Sequence, residues 1–269
     1  MNKILEMFNK DGHVLLKNIV DSNQIEYLKS FIKTLEPKLK VPYSDEAWGY
    51  GNCIDLQEFE LISKNTIIQD NLKAILCFDF EFNHLMVNRK PSWIGPEVEY
   101  HQEVFNSKTF APGATAEDLR TKWCQIYIPL ESESPSNGGL RIIKNSHLLG
   151  EIESEEFINQ NYSHKRRVPS KVLTEITRDD KFKLIDLNLR AGDCLLFSPL
   201  LIHGSPSNGS EAERISLVLQ ARYSDFSPDR SIFDCEVVNR SSFLKKSFLN
   251  KLEETEKLGQ SRYSDFKKL

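Results

Sequence analysis

AGDCLLFSPLLIHGSPSNGSEAERISLVLQARY, residues 191–223, carries most of the fold information in this chain. The opening AGD reads as a tight turn that delivers a buried strand, CLLF at 194–197, and His203 follows in the next irregular segment before Gly204. A further strand begins near Arg214 and runs as ISLVLQARY over 215–223. Working outward, similar short runs bounded by turn residues recur from Phe78 onward: FDFEF at 78–82, LMV at 85–87, WCQIYI at 123–128 and LRII at 140–143. Many short strands separated by turns predict a mainly β sandwich or barrel.

Helices flank this β region. Asp21 or Ser22 is the expected N-cap of an amphipathic helix whose apolar positions Ile25, Leu28, Ile32 and Leu35 fall at helical spacing until Pro37, after a short strand at His13 to Leu16. A second helix is expected from about Glu58 to Leu76, and a terminal one over Ser241 to Leu258, where Phe243, Leu244, Phe248 and Leu252 repeat at helical spacing. Val41 to Asn52 reads as an ordered loop, and the polar stretches Asn106 to Arg120 and Glu151 to Lys181 as loops or small helices that cover a site. RYSDF occurs at 222–226 and again at 262–266, but without a sustained period it reads as chance. One domain over 1–269 is expected, with a helical and strand entry (1–77), a core (78–225) and a C-terminal extension with a helix (226–269).

The 39 acidic and 35 basic residues give a net charge of −4 and form no basic run, so nucleic acid is not an expected partner. The five cysteines form no C-x-x-C pair and read as reduced, mostly buried residues. MNKILEMFNKDGHVLL lacks a secretory h-region, and no stretch approaches ~20 apolar residues, so a soluble, cytoplasmic protein is expected, with no membrane partner. No G-x-S-x-G is present for a hydrolase nucleophile.

Chemistry concentrates at Tyr100-His101-Gln102-Glu103. In an extended segment His101 and Glu103 project from one face and Gln102 from the other, so a ring nitrogen and a carboxylate can neighbour one metal. Alone, the pair is weak evidence, and a solvated or structural role is the commoner reading of an isolated His-x-Glu. With His203 it completes the two-histidine, one-carboxylate donor set that leaves coordination positions open on non-haem iron(II).

The motifs HQE at 101–103, NGGLRIIKNSH at 137–147, GD at 192–193 and HGS at 203–205, with Asn208, Ser210 and Arg214, resemble the phytanoyl-CoA dioxygenase-like family of iron(II)- and 2-oxoglutarate-dependent oxygenases, in order and approximate spacing over about 80–225. The resemblance implies a double-stranded β-helix (jelly-roll, cupin-like) core. It implies iron(II) held by His101, Glu103 and His203, with 2-oxoglutarate and O2 as co-substrates. It further implies Arg214, eleven positions after His203, on the far carboxylate of 2-oxoglutarate, where a planar, permanently charged fork suits a carboxylate. Ser216, on the same strand face, and Asn88 are further co-substrate contacts. Gln125 and Tyr127 either line the barrel near the co-substrate or pack between strands. The family's usual carboxylate is Asp; Glu103 keeps charge and ligand atoms, and any carboxylate there argues against halogenation.

The implied activity is hydroxylation of an unactivated C–H bond of a small molecule with release of succinate and CO2. Gln102, Trp93 and Arg141 are candidate substrate contacts; Arg141 points either inward or to solvent. These, with the polar insertions, favour a small polar or anionic metabolite. A non-catalytic jelly-roll binding protein and a cupin-type metal enzyme that does not use 2-oxoglutarate stand as alternatives. His147 reads as a turn-ordering residue and His84 as packed or surface, while NGG at 137–139 reads as turn chemistry.

Overall fold

The structure is a computed structural model that describes residues 3–39, 49–50, 53–77, 79–93, 95, 97–103, 114–156 and 166–223. These lie within the compact unit Met1–Phe226. The expected terminal helix, the second RYSDF copy and most of the Val41 to Asn52 loop fall outside the described residues.

Two antiparallel sheets make the jelly-roll that the resemblance implied. The larger runs in the order β1 (His13–Leu16), β10 (Cys194–Phe197), β5 (Trp123–Pro129), β12 (Arg214–Tyr223), β3 (Phe80–Lys90) and β2 (Gly49–Tyr50). The smaller runs β4 (Val98–His101), β11 (His203–Ser205), β6 (Arg141–Ile143) and β9 (Leu184–Asp186). A hairpin of β7 (Glu155–Glu156) and β8 (Arg166–Arg167) and the short helix Ser170–Thr177 come from the polar stretch at 151–181. Phe80 to Phe82 of the first run and LMV, separate in sequence pattern, belong to one strand, β3.

Every residue of β5 is buried, because both faces of the large sheet are covered. One face, with Cys124, Ile126, Ile128, Leu196, Leu217, Leu219 and Ala221, packs with Phe8, Leu28, Ile32, Ile68 and Leu72. Those side chains come from α1 (Lys3–Asp11), α2 (Ser22–Leu39) and α4 (Thr66–Leu76). The other face, with Tyr127, Leu195, Phe197 and Val218, meets Leu140, Ile142 and Leu201 and forms the barrel interior. Strand alternation thus separates a purely apolar layer from one that carries function.

Local chemistry accounts for the helix boundaries. Asp21, not Ser22, caps α2: its carboxylate accepts from Gln24 N at 2.9 Å while Gln24 Oε1 accepts from Asp21 N at 3.0 Å. That helix continues through Pro37 to Leu39, where so late a proline disturbs little of the ladder. The expected Glu58 to Leu76 helix is split into α3 (Glu60–Ser63) and α4, because Asn65 leaves helical geometry to cap Ile67 N and Ile68 N. The helix α1 had no expected counterpart; it ends at Gly12, where a Cβ would lie 2.4 Å from the His147 ring. His147 Nε2 lies 3.0 Å from Asn9 O, so this histidine anchors α1.

The GD turn joins the sheet to the entry segment. Gly192 has φ +83°, donates to Pro129 O at 2.9 Å, and accepts from Ile19 N and Val20 N. A Cβ there would fall 2.1 Å from Val20 O. Gly192→Ala is expected to destabilise the protein by at least ~2 kcal/mol, since a non-glycine residue held at positive φ costs about 1–3 kcal/mol before the overlap is relieved. Urea unfolding of the two proteins measures it; an unchanged midpoint would contradict this account.

Candidate active site

The pairing of β11 with β4 makes His203 and His101 direct cross-strand partners, with ring centroids 4.2 Å apart. Each ring is oriented by the carbonyl two residues before it: His101 Nδ1 lies 2.7 Å from Glu99 O and His203 Nδ1 lies 2.9 Å from Leu201 O. A carbonyl can only accept, so Nδ1 carries the proton in both rings and Nε2 presents its lone pair. Beyond His101 the chain leaves the ladder, and Glu103 N donates to Pro199 O at 3.0 Å. This turns Glu103 Oε1 to 3.3 Å from His203 Nε2 and 3.7 Å from His101 Nε2. Two nitrogens and one carboxylate oxygen then lie within 4.8 Å of one another, the donor set of a divalent-metal centre.

Electrostatics favour the metal-binding protonation states. Burial, helped by the neighbouring His203, pushes His101 below its ordinary pKa and keeps it neutral. Burial opposes ionisation of Glu103, but the two adjacent histidines outweigh it and hold its carboxyl well below the usual range. The Phe197 ring packs edge-on against His203 at 4.9 Å and walls the site.

The start of β12 carries a second charged cluster. Arg214, 2% exposed, faces the barrel interior, and its register partner on β3 is Lys90, which is fully buried. Arg214 Nη1 donates to Tyr127 Oη at 2.5 Å and to Glu133 Oε1 at 3.2 Å. Tyr127 also donates to Glu133, whose other oxygen accepts from Leu140 N at 3.1 Å. Lys90 Nζ donates to Ser205 Oγ at 2.7 Å and to Pro206 O. Ser216, opposite Asn88 on the same inward face, has its fully buried Oγ beside the Tyr127 hydroxyl.

Of the remaining expected residues, Gln125 faces the interior; with its amide turned, it donates to Leu219 O at 3.2 Å and accepts from Trp123 Nε1 at 3.1 Å. Gln102 points away from the histidines, its amide donating to Leu200 O and Gly150 O and accepting from Ile152 N, so it braces the strand end. Arg141 is turned outward, paired with Asp186 at 2.5 Å. Trp93 is 63% exposed. None of these last three is brought to the metal-binding cluster.

Residues 8–216 match the phytanoyl-CoA dioxygenase (PhyH) family. The chain belongs to that family. It is accordingly an iron- and 2-oxoglutarate-dependent dioxygenase. Dioxygenase FUM3 of Gibberella moniliformis is 21% identical over 229 residues, covering 80% of this chain and 69% of that protein. The apo structure of EctD from S. alaskensis superposes with a TM-score of 0.67 at 16% identity, covering 87% of this chain and 82% of that one. The epimerase SnoN from nogalamycin biosynthesis, in complex with Fe3+ and alpha-ketoglutarate, gives a TM-score of 0.63 at 16% identity, with 82% and 83% covered.

For a member of this family the residues present fit both cofactors: two tautomer-fixed imidazoles with a carboxylate suit iron(II), and a buried serine hydroxyl beside paired cations suits a carboxylate. Sequence pattern missed Lys90, Ser205 and Glu133. Alternation from Asn88 puts Lys90 on the Asn88 face, but only the register with β12 sets it opposite Arg214. Glu133 lies in an irregular segment where no periodicity exists to place it.

Because Nε2 must be unprotonated to accept a metal and burial holds His101 below the ordinary histidine range, Co(II) binding to the apo-protein is expected to persist through that range and to weaken only as pH falls beneath it. His203→Ala and Glu103→Ala should each lower Co(II) affinity by more than the ~10–100-fold typical of outer-shell changes, and Gln102→Leu by no more than that range. Anaerobic calorimetric titration checks both; full affinity in His203→Ala would contradict the assignment.

Proposed function

We propose that this dioxygenase hydroxylates an unactivated C–H bond of a small polar metabolite, releasing succinate and CO2, with His101, Glu103 and His203 as iron ligands and the Arg214 cluster as the 2-oxoglutarate site. The observation that carries this reading is the pair of inward-facing cations, Arg214 and Lys90, set directly opposite each other on neighbouring strands. Like charges so placed repel, at a cost of roughly 0.2–1 kcal/mol even at ordinary sheet positions. The buried Glu133 carboxylate stands beside Arg214, and Glu133 and Glu97 both act on Lys90 without offsetting its burial. Arg214 keeps its charge while burial and crowding hold Lys90 near neutrality, so an arriving carboxylate meets one fixed cation and a second group that gains its proton on binding, which suits the distal carboxylate of 2-oxoglutarate.

Each protein group has a defined task. Glu133 and Tyr127 hold one edge of the Arg214 fork and so fix its plane; Ser216 and Ser205 offer hydroxyls to the bound carboxylate. The carbonyls of Glu99 and Leu201 keep the imidazoles in the coordinating tautomer. Bound iron supplies the oxygen activation and 2-oxoglutarate the reducing electrons; the chain orients both and excludes water behind Phe197 and Tyr127. The interior row Phe197, Gln125, Gln220 and His84, formed by register partners across four strands, offers polar groups to a polar substrate.

Arg214→Ala is expected to raise the apparent KM for 2-oxoglutarate by roughly 30-fold or more, given the 2–5 kcal/mol lost when one member of a buried charge pair is truncated. Iron-dependent succinate formation measures it, and an unchanged KM would contradict the assignment.

Burial and the nearby Arg214 pull Lys90 down to about 6. An anion reverses that fall, so binding takes up a proton, and affinity declines as pH rises above Lys90's own value. The KM for 2-oxoglutarate should therefore rise between pH 6 and pH 8, approaching tenfold per unit at most. Lys90→Met should flatten the profile; the same slope in both proteins would remove Lys90 from the site.

A further inference from the structure

Trp123 and Arg222 are register partners on β5 and β12, and the guanidinium carbon sits 4.0 Å from the indole centroid. Both are buried, at 1% and 3% exposure. They share the inward face of the sheet with Tyr127 and Val218, the face that carries Arg214 at the other end of β12. Arg222 Nη2 donates to Gln220 Oε1 at 2.7 Å. Gln220 pairs with Gln125, Gln125 pairs with Phe197, and the Phe197 ring touches His203. The guanidinium therefore belongs to the row next to the metal-site wall, ~7 Å along the strand.

The same neighbourhood connects to the metal-binding carboxylate. Trp123 packs with Leu200, whose carbonyl accepts from Gln102, and the preceding Pro199 accepts from Glu103 N. Burial draws Arg222 down to about 10 while the Glu103 carboxylate pulls it back up, so it stays charged at neutral pH. Its register partner on the other side is Glu81. The indole stack fixes the guanidinium plane, which is what a fork needs to bind a planar oxyanion at a set angle.

We propose that Arg222, held flat on Trp123 beside the metal site, recognises a carboxylate of the primary substrate, which makes that substrate a small organic acid whose reacting C–H lies a few bonds from the acid group. This deepens the function proposed above and rests on it. Arg214 and Arg222 then divide one strand face between them, the first for the co-substrate's acid and the second for the substrate's. Arg141, the arginine that sequence pattern singled out for this task, is committed to Asp186 on the outside of the smaller sheet.

The test uses the full chain loaded anaerobically with iron(II) and saturating 2-oxoglutarate. Trp48→Phe and Trp93→Phe leave Trp123 as the indole that emits, since the chain has three tryptophans. Acetate, propionate and butyrate are the probes, each against its primary amide. The expected result is a saturable change in Trp123 emission with the acids, the amides requiring at least ~10-fold higher concentration, as the loss of a charge-assisted bond implies. Arg222→Lys should keep the acid preference at weaker affinity, and Arg222→Gln should abolish it. Equal responses to acid and amide, no response to either, or an acid preference that survives Arg222→Gln would overturn the proposal. Should Arg222→Gln not fold, the acid and amide comparison in the unsubstituted Arg222 protein and in Arg222→Lys decides it. Succinate formation by wild type in air separates the two levels: without it the parent reading fails, whereas turnover with no carboxylate response removes only the role of Arg222.

Discussion

The cross-strand pairing of His203 with His101 is the constraint on which the rest of the site depends. A slip of one residue between β11 and β4 would send one imidazole to the opposite face of the sheet, because side chains alternate. Several features hold the register. Both rings are tied to carbonyls two residues earlier in the chain, the Gln102 amide is bonded to three backbone groups, and Glu103 N is bonded to Pro199 O. The pairing also changes register between His203 and Ser205, immediately beyond the ligand, where Ser205 meets Lys90. One irregularity thus separates His203 from the residue that meets Lys90 on the same short strand.

Charge is distributed along β12 with equal consequence. The strand's outward residues are apolar and packed under the helices, while its inward residues run Arg214, Ser216, Val218, Gln220, Arg222. Burying two arginines on one face is costly unless each meets an anion or an aromatic plane. Glu133 meets the first and Trp123 the second. The helices contribute the apolar cover that allows a sheet face to carry so many polar groups at low exposure. The catalytic interior therefore depends on Leu28, Ile32, Ile68 and Leu72 as much as on its own residues.

Much of this was legible in the sequence because it is written in local alternation. CLLF is β10 residue for residue and WCQIYI is β5 less its last proline; His101 and Glu103 do meet, but the strand ends at His101 and a turn, not alternation, delivers the carboxylate. The expected jelly-roll, iron and 2-oxoglutarate follow from motifs that local geometry places together. What sequence left hidden is long-range. Lys90 acquires meaning only from its register with Arg214, Arg222 from Trp123 across the sheet, and Glu133 from a loop that folds back beneath Leu140. Arg141 illustrates the converse: a strand of three residues gives too little alternation to tell in from out, and Asp186 on β9 supplies the partner that turns it outward.

Anaerobic addition of iron(II) and then 2-oxoglutarate to the apo-protein, followed in the visible range, tests the central claim most directly. The geometry predicts a weak charge-transfer band that requires both additions and is weakened by His203→Ala at the metal and by Arg214→Ala at the far carboxylate. A folded wild-type protein that takes up iron(II) yet develops no band with 2-oxoglutarate, or a band unaffected by either substitution, would contradict it.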